Sequence, residues 1–251
     1  MREVLWERLR RTEIEQAAKA GAVAIIPIAS LEQHANHLPV NTDSNIVSTI
    51  AERAARAIEG VPVLVLPPIW TGYSPHHMAY PGSVTLKYHT FVDVLTQVAS
   101  SVHAHGFRKI LLLNGHGGNS AVVAGMRTKL AEEDGVSIVG YDYWNLPPMP
   151  EAMRRLCTTD KGFVGHAGEV ETSAQMYLQP ELVETGASVW APAKRSPRSV
   201  TRSTMVRIVQ RSGRRSGSSS SSQVIGAETG APGAGRTAYG ATRVLILAFW
   251  V

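Results

Sequence analysis

Between residues 32 and 43 the chain reads Glu32-Gln33-His34-Ala35-Asn36-His37-Leu38-Pro39-Val40-Asn41-Thr42-Asp43. Glu32 and His34 are two residues apart, so an extended backbone points them the same way. Asp43 joins them if the loop folds back, which Pro39 and Asn41 permit. Carboxylate and imidazole ligands without thiolate suit divalent Zn, Mn, Fe or Co. Taken by itself, the stretch also reads as a polar loop with a hydrogen-bonded histidine. A second group, Asn114-Gly115-His116-Gly117-Gly118-Asn119, sets a histidine between glycines. They let the backbone turn sharply and leave the imidazole room to face a ligand. A third, His166-Ala167-Gly168-Glu169-Val170-Glu171-Thr172-Ser173, opens an apolar helical run through Leu178. Acids in a first helical turn are favoured by the helix dipole alone. Glu169 and Glu171 stand about 200° apart around a helix, so only one can serve a given site.

The connection from Thr71 to Ser83 is long and polar, as functional loops are. Its His76 and His77 are adjacent and face opposite ways in extended chain, so both are not expected on one ion. Ser74 and His76 are candidates for a substrate-pocket wall, with metal ligation or a plain surface loop as alternatives. Tyr143 and Trp144 are the aromatic candidates for that pocket. His103 and His105 cannot face each other on a helix and read as solvent-side or capping residues. Cys157 has no motif around it and reads as a packing residue.

These groups need elements to position them. Ala22–Ala29 is an apolar run bounded by turn residues, a buried strand that empties into the first group. Thr12 to Glu15 has capping-box spacing for a preceding helix that runs to Gly21. Apolar residues at helical spacing run from Ser44 to Ile58, and Gly60 stops them. Val63–Leu66 is a second strand, Thr90 to about His105 a helix, and Lys109–Leu113 a third strand leading into the His116 group. Ser120–Ala131 reads as helix and Val136–Val139 as a fourth strand. Strands alternating with helices predict an α/β fold, a mainly parallel sheet with right-handed crossovers and helices on both faces. Glu32, His34 and His116 then meet at one carboxyl edge, where open α/β sheets put their chemistry.

A chain of 251 residues can bury one sizeable core. Its 44% hydrophobic and 18% charged residues are an ordinary globular balance. A single cysteine excludes an intramolecular disulfide framework and suits a reducing cytoplasm. The net charge of +5 hides a split: residues 191–251 hold ten Lys/Arg against one acid, Glu228, while the body is mildly acidic. The basic excess lacks interleaved aromatics for base stacking, so no nucleic-acid partner is expected. The charged N-terminus lacks an apolar signal core. Val244 to Val251 is too short to span a bilayer, so no membrane partner is expected either. Residues 1–190 read as the working domain. Residues 191–251 read as an atypical basic Ser/Arg/Gly-rich tail, disordered by composition or produced by a shifted reading frame.

Together the three groups resemble the creatininase (creatinine amidohydrolase) family, in family order over roughly residues 10–185. The resemblance implies a three-layer α/β/α fold and a homo-oligomer, often a hexamer. It implies a cytoplasmic metal-dependent hydrolase acting on carbon–nitrogen bonds other than peptide bonds, with a small-molecule amide as substrate. Two divalent ions, Zn and/or Mn with Fe or Co as alternatives, would generate a hydroxide and polarise the scissile carbonyl. By position, Glu32, Asp43 and His116 would hold one ion. His34 and a bridging Asp43 would hold the second, and His166 would be the catalytic proton-transfer group. Creatininases proper supply a further Glu two residues after the third-strand histidine, where this chain has Gly118. Glu169 is the expected replacement ligand, with Glu171 as the fallback. Creatininases proper also carry a pocket-lid Trp where this chain reads Lys161-Gly162-Phe163-Val164, so creatinine itself is not the expected substrate. Hydrolysis of a peptide or a cyclic ketone, or a metal-binding but inactive paralogue, are the alternatives the family leaves open.

Overall fold

The computed structural model describes residues 3–133, 136, 138–157 and 165–187. Four strands, β1 (Val23–Ile28), β2 (Val63–Val65), β3 (Lys109–Asn114) and β4 (Ile138–Asp142), pair in the order β2-β1-β3-β4, each pair parallel. Every residue of β1 is buried, as are the last five of β3. Burial on both faces is why each reads as an unbroken apolar run rather than an alternating one. Among the described residues six α-helices flank the sheet: α1 (Arg11–Lys19), α2 (Thr42–Ala57), α3 (Tyr88–Ala104), α4 (Ser120–Glu133), α5 (Met149–Leu156) and α6 (Glu169–Leu178).

Successive strand residues serve two different cores. Ala24, Ile26, Ile28, Ile110 and Leu112 pack with Ala17 of α1, Phe91 and Leu95 of α3, and Val122 and Met126 of α4. Val23, Ile25, Leu111 and Leu113 belong to a second cluster with Ile46, Val47 and Ala51 of α2, joined by Leu178 of α6. The result is three layers, helix–sheet–helix, as the alternation of elements predicts. Val65 N–H donates to Val4 O at 2.8 Å, so the N-terminal segment covers the outer edge of β2.

Several boundaries differ from the sequence expectation, each for a local reason. α1 starts at Arg11 because Glu13 supplies the cap, accepting the Arg10 backbone N–H at 3.0 Å. Glu15 pairs with Lys19 instead. α2 starts at Thr42 rather than Ser44: the Thr42 N–H and hydroxyl both donate to Pro39 O, at 3.2 and 2.7 Å. That brings Asp43 inside the first turn. α3 likewise begins two residues early, at Tyr88. β4 starts at Ile138 because the Val136 N–H is taken by Leu130 O. α5 has no sequence counterpart, since Pro147-Pro148-Met149-Pro150 looks like a breaker; at an N-cap and first turn prolines are tolerated. Residues 161–164, and the tail expected over 191–251, lie outside the described residues. No helix among the described residues is long and apolar enough to cross a membrane.

From β1 the chain passes through α2 to β2 on one side, whereas β3 and β4 add on the other. Strand order therefore reverses between β1 and β3. In open α/β sheets the crevice at such a point, beyond the carboxyl ends of the strands, is where ligands bind.

Candidate metal centre

β1 and β3 are in register, Ile28 beside Asn114, and leave the sheet together, with Gly115 N–H donating to Ile28 O at 2.8 Å. A Cβ at Gly115 would stand 2.7 Å from Val47 Cβ, so glycine is what lets the end of β3 lie against α2. The loop after β1 closes on itself through Glu32 N–H to Val40 O at 3.1 Å. It ends with Asp43 in the first turn of α2, where the helix dipole favours a carboxylate. α6 docks on the same loop: His37 Nε2 lies 3.0 Å from Thr172 Oγ1, and Asn45 Nδ2 donates to Gln175 Oε1 at 2.8 Å.

Three distant segments thereby converge. His116 Nδ1 lies 3.1 Å from Glu32 Oε1 and 3.2 Å from Asp43 Oδ2. His34 Nε2 lies 3.1 Å from Asp43 Oδ1 and 3.6 Å from Glu171 Oε2. Asp43 thus addresses the two imidazoles with separate oxygens. His166 Nδ1 and His77 Nε2 approach Glu32 Oε1 at 3.3 and 3.5 Å. Ligand atoms fall into three sets, each within 4.8 Å: Glu32, His34 and Asp43; His34, His166 and Glu171; Glu32, His77 and His166.

Buried carboxylate oxygens are normally hydrogen-bonded. Both oxygens of Glu32 and Oδ2 of Asp43 are buried and accept no hydrogen bond, although imidazole nitrogens stand close by. Carboxylate oxygens crowded against imidazole nitrogens with no hydrogen bond made are what a cation among them would satisfy. The set fits a metal: hard carboxylates and imidazole without thiolate are the donors that Zn and Mn take.

Burial alone would make His34 and His116 weaker bases, but the carboxylates against them outweigh it and raise both to about 9. Asp43 contributes most to each, helped by Glu171 at His34 and by Glu32 at His116. Burial would push the Glu32 carboxyl up, yet the His116 and His166 imidazoles hold it far below the usual carboxylate range. Glu171 moves the other way, to about 7, because its burial outweighs the pull of His34.

Ser74, expected in a pocket wall, is fully buried; its hydroxyl lies 3.1 Å from His116 Nε2 and bonds that of Ser30. Asn119 joins three loops, Nδ2 donating to Ala29 O at 3.0 Å and Oδ1 accepting Tyr73 N–H at 2.9 Å. His76 is exposed and lies parallel to the His116 ring, centroids 5.7 Å apart. Tyr143 is buried with Trp144 edge-on to it at 5.0 Å. Its phenol is pushed well above its usual pKa by burial, then by the Glu171 and Asp43 charges. Of the two acids of α6, Glu171 is the one brought to His34, and it accepts Ala167 N–H at 2.6 Å. Glu169 is equally buried and acts electrostatically on Cys157; like His116, it belongs to none of the three ligand sets. Gln33, Ser30 and His77 have sites here that residue spacing did not assign them. The long polar connection after β2 was the available signal for His77.

The family model Creatininase, described as creatinine amidohydrolase, matches residues 7–236. The chain belongs to the creatininase family. A solved structure described as Creatininase Mn is similar with a TM-score of 0.66 and 26% identity, covering 81% of this chain and 85% of that one. The 3-dehydro-scyllo-inosose hydrolase of Thermotoga maritima is 31% identical over 189 residues, 72% of this chain and 58% of that protein. The creatinine amidohydrolase of Pseudomonas putida is 29% identical over 202 residues, 74% of this chain and 75% of that protein. The mycofactocin precursor peptide peptidase of Mycolicibacterium smegmatis is 30% identical over 168 residues, 65% of this chain and 60% of that protein. The chain therefore spans less than two thirds of the first and third of these creatininase relatives. All three names are those of hydrolases. The creatininase match also runs past residue 190, into the stretch set apart as a tail.

Proposed function

We propose that the chain is a two-metal hydrolase that cleaves a carbon–nitrogen amide bond, cyclic or linear, of a small molecule. The observation that carries this reading is the buried trio of carboxylate oxygens, on Glu32 and Asp43, that accept no hydrogen bond while imidazoles share their space. Glu32, Asp43 and His116 would hold one ion. His34, the second oxygen of Asp43 and Glu171 would hold the other, Glu171 in preference to Glu169 on the 3.6 Å approach to His34. Divalent ions held there acidify water as the nucleophile and polarise the scissile carbonyl. Relatives described as an Mn creatininase and as a mutant of Zn-Zn type favour these two metals. His166 is partly exposed beside Glu32 and gives its proton to the leaving nitrogen. Tyr143 and the His76 ring border the substrate. Residues 1–190 carry this chemistry, since every residue assigned a role falls within them. The single cysteine suits work in the cytoplasm, and a homo-oligomer is the assembly expected from the family.

A second reading, a peptide or cyclic-ketone substrate, is favoured by the names of two of the relatives. Exposed Trp70, Met78 and Tyr80 beside His76 and His77 would give a longer substrate a surface to lie on. The test is elemental analysis of protein purified without chelator, beside His116→Ala, followed by a panel of amides, peptides and cyclic ketones with added Mn or Zn. Close to two ions per chain, lost in the variant, with amide turnover, is the expected result. A folded, reconstituted chain that retains no ion would end the two-metal reading. Ions without turnover of any class would leave a metal-binding protein that is not a hydrolase.

A further inference from the structure

We propose that Asp142, at the end of β4, is a positioning residue for His116, acting through the side-chain amide of Asn114. His116 is extended, with φ −131° and ψ 127°, so its own N–H and C=O point to the same side of the backbone. Asn114 is fully buried and answers both: Oδ1 accepts His116 N–H at 3.1 Å, and Nδ2 donates to His116 O at 2.7 Å. A side-chain amide thus stands where a neighbouring strand would. A backbone N–H can only donate and a carbonyl only accept, so these two groups decide which end of the amide is which. Held at both groups, the His116 backbone keeps its imidazole against Glu32 Oε1 and Asp43 Oδ2, at 3.1 and 3.2 Å.

Asp142 keeps the amide in that pose. It is the cross-strand partner of Asn114 at the carboxyl ends of β3 and β4. Asn114 Nδ2 has two protons; one goes to His116 O and the other to Asp142 Oδ1 at 2.7 Å. Ser120 Oγ, 3.5 Å from the same nitrogen, donates to Asp142 Oδ1 at 2.9 Å. Without Asp142 the second amide proton has Ser120 Oγ as its nearby acceptor, and a turn toward it draws the amide off His116 O. Asn114 Oδ1 also accepts from Asn119 Nδ2 at 3.3 Å, and that nitrogen donates to Ala29 O at 3.0 Å. Asp142, Asn114 and Asn119 therefore link the exits of β4, β3 and β1 behind the centre. His34 is held separately, by Asp43, Glu171 and the Glu32 carbonyl. The consequence rests on the two-metal reading: Asp142 governs affinity at the position shared by Glu32, Asp43 and His116, and not at the one beside His34.

The test titrates zinc into the full chain and its variants against a chromophoric chelator, and follows hydrogen exchange at the metal-free His116 amide by NMR. Asp142→Ala should weaken one of two zinc-binding steps by about tenfold to a hundredfold, the usual cost of losing a partner behind a ligand, and spare the other. Asp142→Asn keeps an oxygen for Asn114 and should restore that step. Asn145→Ala removes the 3.2 Å bond to Asp142 Oδ2, on the side away from Asn114, and should change neither step. The His116 N–H should exchange about threefold to tenfold faster in Asp142→Ala, as the loss of one hydrogen bond implies, and at the wild-type rate in Asp142→Asn. If Asp142→Ala does not fold, Asp142→Ser, too short to reach Asn114, carries the same expectations. Equal weakening of both steps, no weakened step, or an unchanged His116 exchange rate would overturn the proposal. A wild type that binds no zinc would end the two-metal reading, and the exchange rates alone would then decide whether Asp142 positions His116.

Discussion

The two oxygens of Asp43 reach different imidazoles, Oδ1 toward His34 and Oδ2 toward His116, whereas Glu171 meets only the His34 side. Under the two-metal reading, Asp43→Asn is therefore expected to abolish binding of both ions, and Glu171→Gln to lower metal content toward one ion per chain. Equal losses in the two variants, by elemental analysis, would contradict a bridging role. Protonation gives a second expectation. In the metal-free chain His34 and His116 are raised from 6.5 to about 9, so their ion pairs stabilise the fold fully below about 6.5 and are lost as pH rises through about 9. Glu171, raised from 4.5 to about 7 by burial, adds a separate loss at lower pH: its contribution is fully present below about 4.5 and is gone once pH has risen through about 7. The Tm of chelated protein should fall from pH 6.5 to 9, while metal affinity should climb over that interval as ligand protons are released. A flat chelated Tm would refute the coupling. Glu32, His34 and His116 are legible in the sequence because strand ends announce them. Gln33 and Ser74 are not, since their partners lie 133 and 44 residues away and only the folded loops bring them together.

Loops are held to the sheet edge by a few side chains, and Asn119 is the clearest case. It satisfies Ala29 O and Tyr73 N–H together, over a Gly72 whose added Cβ would come within 2.5 Å of Ala29 O. Asn119→Ala leaves both backbone groups unpaired in a buried place, and a loss of about 1–3 kcal/mol is expected in urea unfolding. Gly72→Ala should lose a similar amount through overpacking, about 1–3 kcal/mol. A change well under that range in both would mean these loops are fastened elsewhere. β1 and β3 can be read from sequence because burial on both faces leaves nothing but apolar residues. β4 is shifted from its expected place by one loop hydrogen bond at Val136, and α5 is concealed by prolines that a first turn tolerates. Local chemistry sets such boundaries, and hydrophobic periodicity does not record it.

Across the molecule, three layers and a parallel sheet follow from the alternation of apolar strands with amphipathic helices, and the reversal of strand order places the centre. The residue groups fix the family, while the partner of His34 among the α6 acids needed the packing of α6 on α2. Every candidate ligand falls between residues 32 and 171, so a chain ended after residue 190 is expected to bind metal as the full chain does; an empty truncated protein would give the remaining residues a part in the centre.

The acid of α6 that reaches His34 has a consequence for the chain's own manufacture. Glu32, His34 and Asp43 leave the ribosome early, and Glu171 follows about 130 residues later, roughly 6–26 s at the usual pace of synthesis. Throughout that interval a nascent chain presents carboxylates and imidazoles with one arm of the cage missing. Under the two-metal reading, an ion on the His34 side would meet its full set of ligands only once α6 has been made and has docked.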